Sequence, residues 1–208
     1  MRRNTYIIVI DEAGRGPLAG PVVVAAIRAP RAIGRILRRR GIRDSKKLSA
    51  KRREEWFQFL VAHPYVEWAV ARVWPRIIDR INISRAANRA AFRVYKKLSG
   101  GRVCLALLDG GLRLPAYIPQ KTIIRGDEKI PVIAAASIIA KVTRDLIMIR
   151  LHKKYPRYRF DIHKGYGTEL HRALIKKYGR ADAHRKSFRV SLPKKTNIVL
   201  GRHIWRIR

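Results

Sequence analysis

The stretch YIIVIDEAGRGPLAGPVVVAAI, residues 6–27, decides the fold of this 208-residue chain. It opens with an apolar, β-branched run at residues 6–10, which stops at Asp11 and Glu12. A second such run, residues 21–27, follows a glycine-rich turn. Runs of this kind are typical of β-strands. The stretch therefore predicts two neighbouring strands, with two carboxyl groups at the end of the first.

Further strands and helices alternate along the rest of the chain. Short strands are predicted over residues 66–73 and 121–124. Residues 103–108 form a continuous apolar run, ended by Asp109, that is typical of a strand buried on both faces. Helices are predicted between Ser49 and Pro64, from Ile83 to Gly100, from Pro131 to about Lys154, and from Thr168 to Gly179. This order of elements predicts an α/β protein with a mixed sheet and helices on its faces.

The charge of the chain points to a polyanionic partner. Lys and Arg number 48 against 14 Asp and Glu, which gives a formal net charge of +34. Nucleic acid is the first partner expected, because each neutralised phosphate releases condensed counterions. Hydrophobic residues make up 47% of the chain, enough for a packed core. The single cysteine, Cys104, excludes an internal disulfide and a thiolate zinc cluster.

Nothing in the sequence indicates a membrane protein. The longest apolar stretch, residues 130–140, is about half of what a membrane span needs. The apolar run at the amino terminus is too short for the core of a signal peptide. We therefore expect a soluble, cytoplasmic protein.

The scarce acidic residues predict a metal site. Asp11 and Glu12 follow one strand, Asp109 follows another, and Asp127 lies in the turn before the long helix. Ends of neighbouring strands lie within about 5 Å of each other, so these carboxylates can converge and would then need a cation. Oxygen ligands suit Mg²⁺ or Mn²⁺, and two such ions support phosphodiester hydrolysis. Each acid taken alone is also a common turn former.

The turn Gly14-Arg15-Gly16 is a candidate binding loop beside these acids. Its spacing departs from the dinucleotide-binding fingerprint, and the acidic pair before it would repel a pyrophosphate. Glycines let backbone N–H groups approach a ligand closely. A sugar hydroxyl or a phosphate would fit there.

Eight sequence blocks together carry a family resemblance. They are DEAGRGPLAGP (11–21), DSKKL (44–48), IDRINI (78–83), LDG (108–110), GDEK (126–129), IAAASIIAKVTRD (133–145), HKGYGT (163–168) and HRKSF (184–188). In these residues and in their order, the chain resembles the bacterial and archaeal ribonuclease HII enzymes.

The resemblance implies a ribonuclease H-like fold, with a mixed five-stranded sheet flanked by helices and a small helical carboxyl-terminal part. It implies a catalytic domain over residues 1–155 and a basic substrate-binding extension over residues 156–208. The implied activity is that of an endonuclease which cuts the RNA strand of RNA–DNA hybrids and nicks duplex DNA at embedded ribonucleotides. It would leave 5′-phosphate and 3′-hydroxyl ends. We expect it to act as a monomer with Mg²⁺ or Mn²⁺, in a two-metal mechanism.

The resemblance also implies roles for individual residues. The family's metal-binding carboxylates correspond to Asp11, Glu12, Asp109 and Asp127. The element that contacts the ribonucleotide 2′-hydroxyl and the adjoining phosphate corresponds to Gly14, Arg15 and Gly16. The tyrosine that reads the RNA-to-DNA junction corresponds to Tyr166. A 2′-hydroxyl is what distinguishes the two sugars, so reading it there is physically sensible. Lys47 and Lys164 are candidates for phosphate binding.

Several alternatives stay open at this point. Asp145 either contributes to the metal site or pairs with Lys141 one helical turn away. Residues 189–208 either grip nucleic acid or anchor a tail through Trp205. A non-catalytic basic binding protein would also account for the composition, although it gives no reason for carboxylates at strand ends. A different nuclease or a recombinase on the same fold is disfavoured by the Gly14-Arg15-Gly16 turn and by Tyr166.

Overall fold

The computed structural model describes residues 6–42, 48–191, 196–200 and 203–207, the last two ranges by their backbone. Its central sheet has five strands, in the spatial order β3-β2-β1-β4-β5. They are β1 (Tyr6–Ala13), β2 (Val22–Pro30), β3 (Glu67–Val73), β4 (Ala106–Asp109) and β5 (Gln120–Ile123). Strands β1, β2 and β3 pair antiparallel, whereas β1, β4 and β5 run parallel. The mixed five-stranded sheet predicted from the sequence is therefore confirmed.

The register between β1 and β4 decides where the acidic residues lie. Ile10 of β1 stands opposite Leu108 of β4. The next residue of each strand is an aspartate, Asp11 and Asp109. Because the two strands are parallel neighbours, both aspartates lie at the same edge of the sheet.

Helices cover both faces of the sheet. They are α1 (Ile33–Arg39), α2 (Ala50–Ala62), α3 (Pro75–Ile81), α4 (Ile83–Ser99), α5 (Gly126–Lys129), α6 (Pro131–Lys154), α7 (Phe160–His163) and α8 (Glu169–Tyr178), with a 3₁₀ turn at Pro156–Tyr158. Ile7 and Val9 of β1 pack into one core with α1, α2 and α6. Ile8 and Ile10 point to the other face, where α3 and α4 supply the second core. This alternation is the period of two expected of a strand buried on both faces.

The long helix α6 supports the sheet edge that carries the acids. Pro131 occupies its first turn, and nearly every side chain of its first half is buried. Small residues there, among them Ala134, Ala135 and Ala136, allow the helix to lie close against β1 and β2. The predicted bounds of α2, α4, α6 and α8 agree with the structure to within a residue or two.

Some elements differ from the sequence prediction. The short helices α1, α3, α5 and α7 were not predicted, and α5 stands where a turn was expected around Asp127. In α1 the inward pair Ile33 and Leu37 is surrounded by arginines that hide its period. Strand β4 begins at Ala106 rather than Val103, whose side chain is exposed. The carboxyl-terminal part holds helices, as expected, and also a hairpin of β6 (Thr196–Leu200) and β7 (His203–Ile207). The domain division after residue 155 stays a prediction.

In the described part of the chain, no helix combines the length and apolar character needed to cross a membrane.

Candidate active site

Three of the predicted acids form one electrostatic cluster at the edge of the sheet. Asp11 is buried, and burial, with the neighbouring charges of Glu12 and Asp109, raises its pKa well above the usual range. Burial likewise raises the pKa of Glu12 to about 7, with Asp109 adding to the effect and Arg15 opposing it. The structure therefore holds like charges together at an energetic cost, which is a common property of functional sites.

Backbone and hydroxyl groups fix the positions of these carboxylates. Oδ1 of Asp11 accepts the N–H of Glu12 at 2.6 Å, and the side chain of Ser137 on α6 also bonds to Asp11. Oδ1 of Asp109 accepts the N–H of Gly126 at 2.6 Å. Gly126 is the first residue of α5, and the next residue is the buried Asp127. Asp127 thus lies in the short helix α5, whose first residue is hydrogen-bonded to Asp109.

The donor set of this cluster fits a hard divalent cation. The side-chain atoms available are carboxylate oxygens, the ligands that Mg²⁺ and Mn²⁺ prefer. Oε2 of Glu12 is buried and has no hydrogen-bond partner within the described residues. As placed, no three acidic, histidine or cysteine side chains of the described ranges already form a metal-binding arrangement. Oδ1 of both Asp11 and Asp109 accepts a backbone N–H, and each carboxylate has a second oxygen with which it could bind a cation.

The Gly14-Arg15-Gly16 turn lies directly beside the acids. Nη1 of Arg15 lies 3.3 Å from Oε1 of Glu12, and its Nη2 donates to Oγ of Ser84 at 2.9 Å. Gly14 has φ +95°, and a Cβ there would come within 2.1 Å of Nε of Arg144, so the position requires glycine. At Gly16 a Cβ would meet no atom within 4 Å. Packing within the chain therefore does not explain the second glycine.

Tyr166 lies on the surface rather than in the core. The residue is 41% exposed, so packing in the core does not account for a tyrosine at this position. Nζ of Lys141 and Cζ of Arg144 lie 5.5 and 5.4 Å from the ring centroid. The ring thus presents an exposed aromatic surface bordered by two cations.

The remaining candidates have different positions. Nζ of Lys164 donates to the backbone carbonyl of Asp161. Lys141 and Asp145 form an ion pair of 2.8 Å along α6, which favours the helical pair over a metal role for Asp145. Lys47 and the side chain of Trp205 lie outside the described residues.

Sequence reasoning missed three residues that support this site. Ser137 bonds to Asp11, and the buried Arg144 and Arg185 bond to the loop between β1 and β2. Ser137 could have been found as a polar residue within the apolar run of α6. Both arginines lie in blocks that carry the family resemblance, but the sequence gave no indication of what they contact.

A sheet of this topology, with carboxylates at the ends of two neighbouring parallel strands, places the protein in the ribonuclease H-like class. Solved structures agree: ribonuclease H2 from Pyrococcus horikoshii OT3 superposes with a TM-score of 0.69 at 25% identity, covering 88% of this chain and 94% of that one. The ribonuclease HII of the PCNA complex from Archaeoglobus fulgidus gives 0.69 at 26% identity, covering 91% and 97%.

Sequence comparison identifies the family. The family model for Ribonuclease HII matches residues 8–191. Ribonuclease HII of Chlamydia pneumoniae is 48% identical over 179 residues, which cover 86% of this chain and 81% of that protein. The chain belongs to the ribonuclease HII family. It is an endoribonuclease that acts on RNA–DNA hybrids, in a family whose activity depends on a metal.

Proposed function

We propose that Asp11, Glu12, Asp109 and Asp127 hold the divalent cations, Mg²⁺ or Mn²⁺, with which this endoribonuclease cleaves its substrate. The observation that carries the proposal is the buried cluster of mutually repelling carboxylates, in which burial and neighbouring charge raise the pKa of Asp11 and Glu12. A divalent cation would relieve this repulsion and favour the ionised carboxylates.

The protein's contribution to hydrolysis is to hold the acids rigidly and to offset their charge. Bound there, two ions would supply an activated water and stabilise the leaving oxygen of the phosphodiester. Asp11 and Asp109 extend from paired central strands, so their separation is set by the sheet. The guanidinium of Arg15 lies against Glu12 and gives a phosphate a cation to approach beside the acids.

The substrate range proposed here includes duplex DNA with an embedded ribonucleotide, cut to leave 5′-phosphate and 3′-hydroxyl ends. Gly14, Arg15 and Gly16 would contact the 2′-hydroxyl and the adjoining phosphate. The open space at Gly16 supports this role, because a close approach of nucleic acid to the backbone needs it. The exposed ring of Tyr166 would lie against the deoxyribose at the junction.

Three parts of the proposal rest on sequence alone. Phosphate binding by Lys47 and by Lys164 is retained, although the ammonium of Lys164 already bonds to its own turn. Action as a monomer also stays a prediction. The alternative of a non-catalytic basic binding protein is not favoured, because the family model for Ribonuclease HII matches residues 8–191.

The experiment is a cleavage assay on a DNA duplex that carries one ribonucleotide, with an all-DNA duplex of the same sequence as control. With Mg²⁺ or Mn²⁺ we expect one nick, a 5′-phosphate and a 3′-hydroxyl, and with chelator no nick. Titrating each metal in turn identifies the preferred ion. Cleavage that continues in chelator would contradict the proposed metal site, and an intact ribonucleotide duplex beside a cleaved RNA–DNA hybrid would contradict the wider substrate range.

A further inference from the structure

Arg185 is one of the most deeply buried side chains of the protein, at 1% exposure. Its guanidinium donates to three carbonyl groups of the loop between β1 and β2. Nη2 donates to the carbonyl of Gly14 at 2.6 Å, Nη1 to that of Arg15 at 2.8 Å, and Nε to that of Gly20 at 3.1 Å. One side chain from the carboxyl-terminal part therefore connects both ends of a loop about 170 residues earlier in the sequence.

The backbone around Arg185 is fixed against the same loop. The N–H of Arg185 donates to the carbonyl of Leu18 at 2.8 Å, and the N–H of Gly20 donates to the carbonyl of Ala183 at 2.8 Å. These two hydrogen bonds fix the backbone of Arg185 relative to the loop. The position of its guanidinium relative to the carbonyls of Gly14 and Arg15 is therefore well defined.

A positive charge at this place is expensive for the fold. Burial, and secondarily the charge of Arg144, lowers the pKa of Arg185 to about 9. The charge of Asp79 opposes this lowering in part, but the guanidinium of Arg185 forms no ion pair within the described ranges and donates to neutral carbonyls. Apolar side chains commonly replace buried charges without loss of stability, so filling space does not account for an arginine here.

The geometry of the peptide group connects these carbonyls to the substrate side. In a trans peptide the C=O and the following N–H point in opposite directions. The described residues contain no cis peptide. With the carbonyls of Gly14 and Arg15 turned inward to the guanidinium, the N–H groups of Arg15 and Gly16 point outward.

We propose that Arg185 is a positioning residue for ribonucleotide recognition: by holding the Gly14 and Arg15 carbonyls, it aims the N–H groups of Arg15 and Gly16 at the 2′-oxygen of the sugar. This rests on the proposed role of the Gly14-Arg15-Gly16 turn in contacting the 2′-hydroxyl. The residue touches neither substrate nor metal and acts through the loop.

The test compares Arg185→Lys with wild type on two DNA duplexes, one with a single ribonucleotide and one with a 2′-fluoro nucleotide at that place. Lysine keeps a charge but lacks the planar fork that reaches several carbonyls at once. For the ribonucleotide duplex we expect kcat to fall about 100-fold, because small displacements at a reacting centre have effects of that size. KM should change less than about threefold, since affinity comes mainly from phosphate contacts.

The decisive quantity is the factor by which kcat falls when fluorine replaces the 2′-hydroxyl. A loop whose N–H groups are no longer aimed cannot sense the difference, so this factor should be at least about tenfold smaller in Arg185→Lys than in wild type. The matched control is Leu60→Ala, which opens the core between α2 and α6 away from the loop. It should lower the melting temperature and leave the factor unchanged.

The possible outcomes separate the inference from the proposed function. A wild-type enzyme that cleaves both duplexes equally would contradict the proposed recognition of the 2′-hydroxyl. The role of Arg185 alone would be overturned if the fluorine factor of Arg185→Lys equalled that of wild type. It would also be overturned if Leu60→Ala reduced the factor as much as Arg185→Lys does. Arg185→Gln is the second variant if the lysine variant does not fold. Failure of both to fold would make Arg185 a core residue and would also overturn the inference.

Discussion

Two clusters of buried titratable side chains lie in different parts of the protein, and they differ in how their polar atoms are satisfied. In the acid cluster, Oε2 of Glu12 is buried without a hydrogen-bond partner, and the pKa of Glu12 is raised to about 7. The carboxyl-terminal part holds a cluster of three packed histidines, His163, His171 and His184. The rings of His163 and His171 are stacked, and their centroids lie 4.1 Å apart. Burial is the main cause that lowers the pKa of each of these histidines.

The histidine cluster has a complete set of hydrogen bonds with every ring neutral. Nδ1 of His171 donates to the carbonyl of Tyr166 at 2.9 Å, which leaves its Nε2 to accept from Nε2 of His184 at 3.1 Å. Nδ1 of His184 then accepts the N–H of Ala181 at 2.9 Å. His163 donates from Nε2 to Tyr158 at 2.7 Å. For His163 and His171 this tautomer assignment follows from the carbonyl that faces the donating nitrogen, and for His184 it follows from the N–H of Ala181 that faces Nδ1.

The difference between the clusters teaches which buried ionisable groups indicate function. A network that satisfies its members in their neutral form stabilises the fold. Acids held together against their own repulsion destabilise it, and such an arrangement is retained where a ligand or a reaction needs the charge. Substitutions should therefore act in opposite directions in the two clusters.

The largest effect is expected in the acid cluster. Asp11→Asn or Asp109→Asn should lower cleavage of an RNA–DNA hybrid at least about 1000-fold, because each removes a metal ligand. The melting temperature should stay equal or rise, since an amide relieves the repulsion among the carboxylates. Single-turnover cleavage and thermal unfolding in one buffer measure both quantities.

Substrate binding provides the control for these variants. Removing a negative charge that faces phosphate should leave the affinity for the hybrid intact or tighter. Comparable Mg²⁺-dependent turnover by either asparagine variant would exclude that residue from the metal site.

The histidine cluster should respond in the opposite way. His171→Ala should lower the free energy of unfolding by about 2–4 kcal/mol, because it opens a cavity and leaves the donor of His184 unsatisfied. The turnover of folded enzyme on an all-RNA strand paired with DNA should stay within about threefold of wild type. Denaturant unfolding beside steady-state kinetics checks this. A loss of activity without a loss of stability would assign His171 to the active site.

Tyr166, whose carbonyl accepts from Nδ1 of His171, should show a smaller and more selective effect. Tyr166→Ala should slow nicking at a single embedded ribonucleotide about tenfold, the scale of one lost stacking contact, and slow cleavage of an all-RNA strand less. In the first substrate the junction is the sole cue. Tyr166→Phe keeps the ring and tests the hydroxyl. Equal losses on both substrates, with a lower melting temperature, would make Tyr166 a packing residue.

The two clusters also differ in how far the sequence predicts them. Asp11 and Asp109 follow apolar strands, so strand type and parallel pairing are sufficient to place them at one edge. The partners of His171 and Arg185 come from segments distant in sequence or from main-chain carbonyls. Their side chains carry no periodic signal, and although Arg185 lies in the block HRKSF, that block does not indicate which groups the side chain contacts. Contacts that depend on loop conformation therefore cannot be predicted from the sequence pattern and are seen only in the folded structure.

The smallest effect is a change in the pH dependence of stability, measured in chelator. The pKa of Glu12 is raised from 4.5 in the unfolded chain to about 7, so its contribution to stability is greatest below pH 4.5 and is lost as the pH rises to about 7. His171 and His184 have pKa values lowered from 6.5 to about 3 and about 4. Their contribution is complete above pH 6.5 and is lost as the pH falls.

Between pH 4.5 and 6.5 the two clusters therefore oppose each other, because the proton that Glu12 releases on unfolding offsets the uptake by one of the two histidines. Glu12→Gln removes one opposing acid. In this variant the free energy of unfolding should rise with pH more steeply than in wild type, by about 1.4 kcal/mol per pH unit, the value for one proton. Urea unfolding at half-unit pH steps measures both slopes, and Glu54→Gln, an exposed change on α2, is the control. Parallel curves for wild type and Glu12→Gln would mean that Glu12 titrates normally in the fold, and the contrast between the clusters would then rest on hydrogen bonding alone.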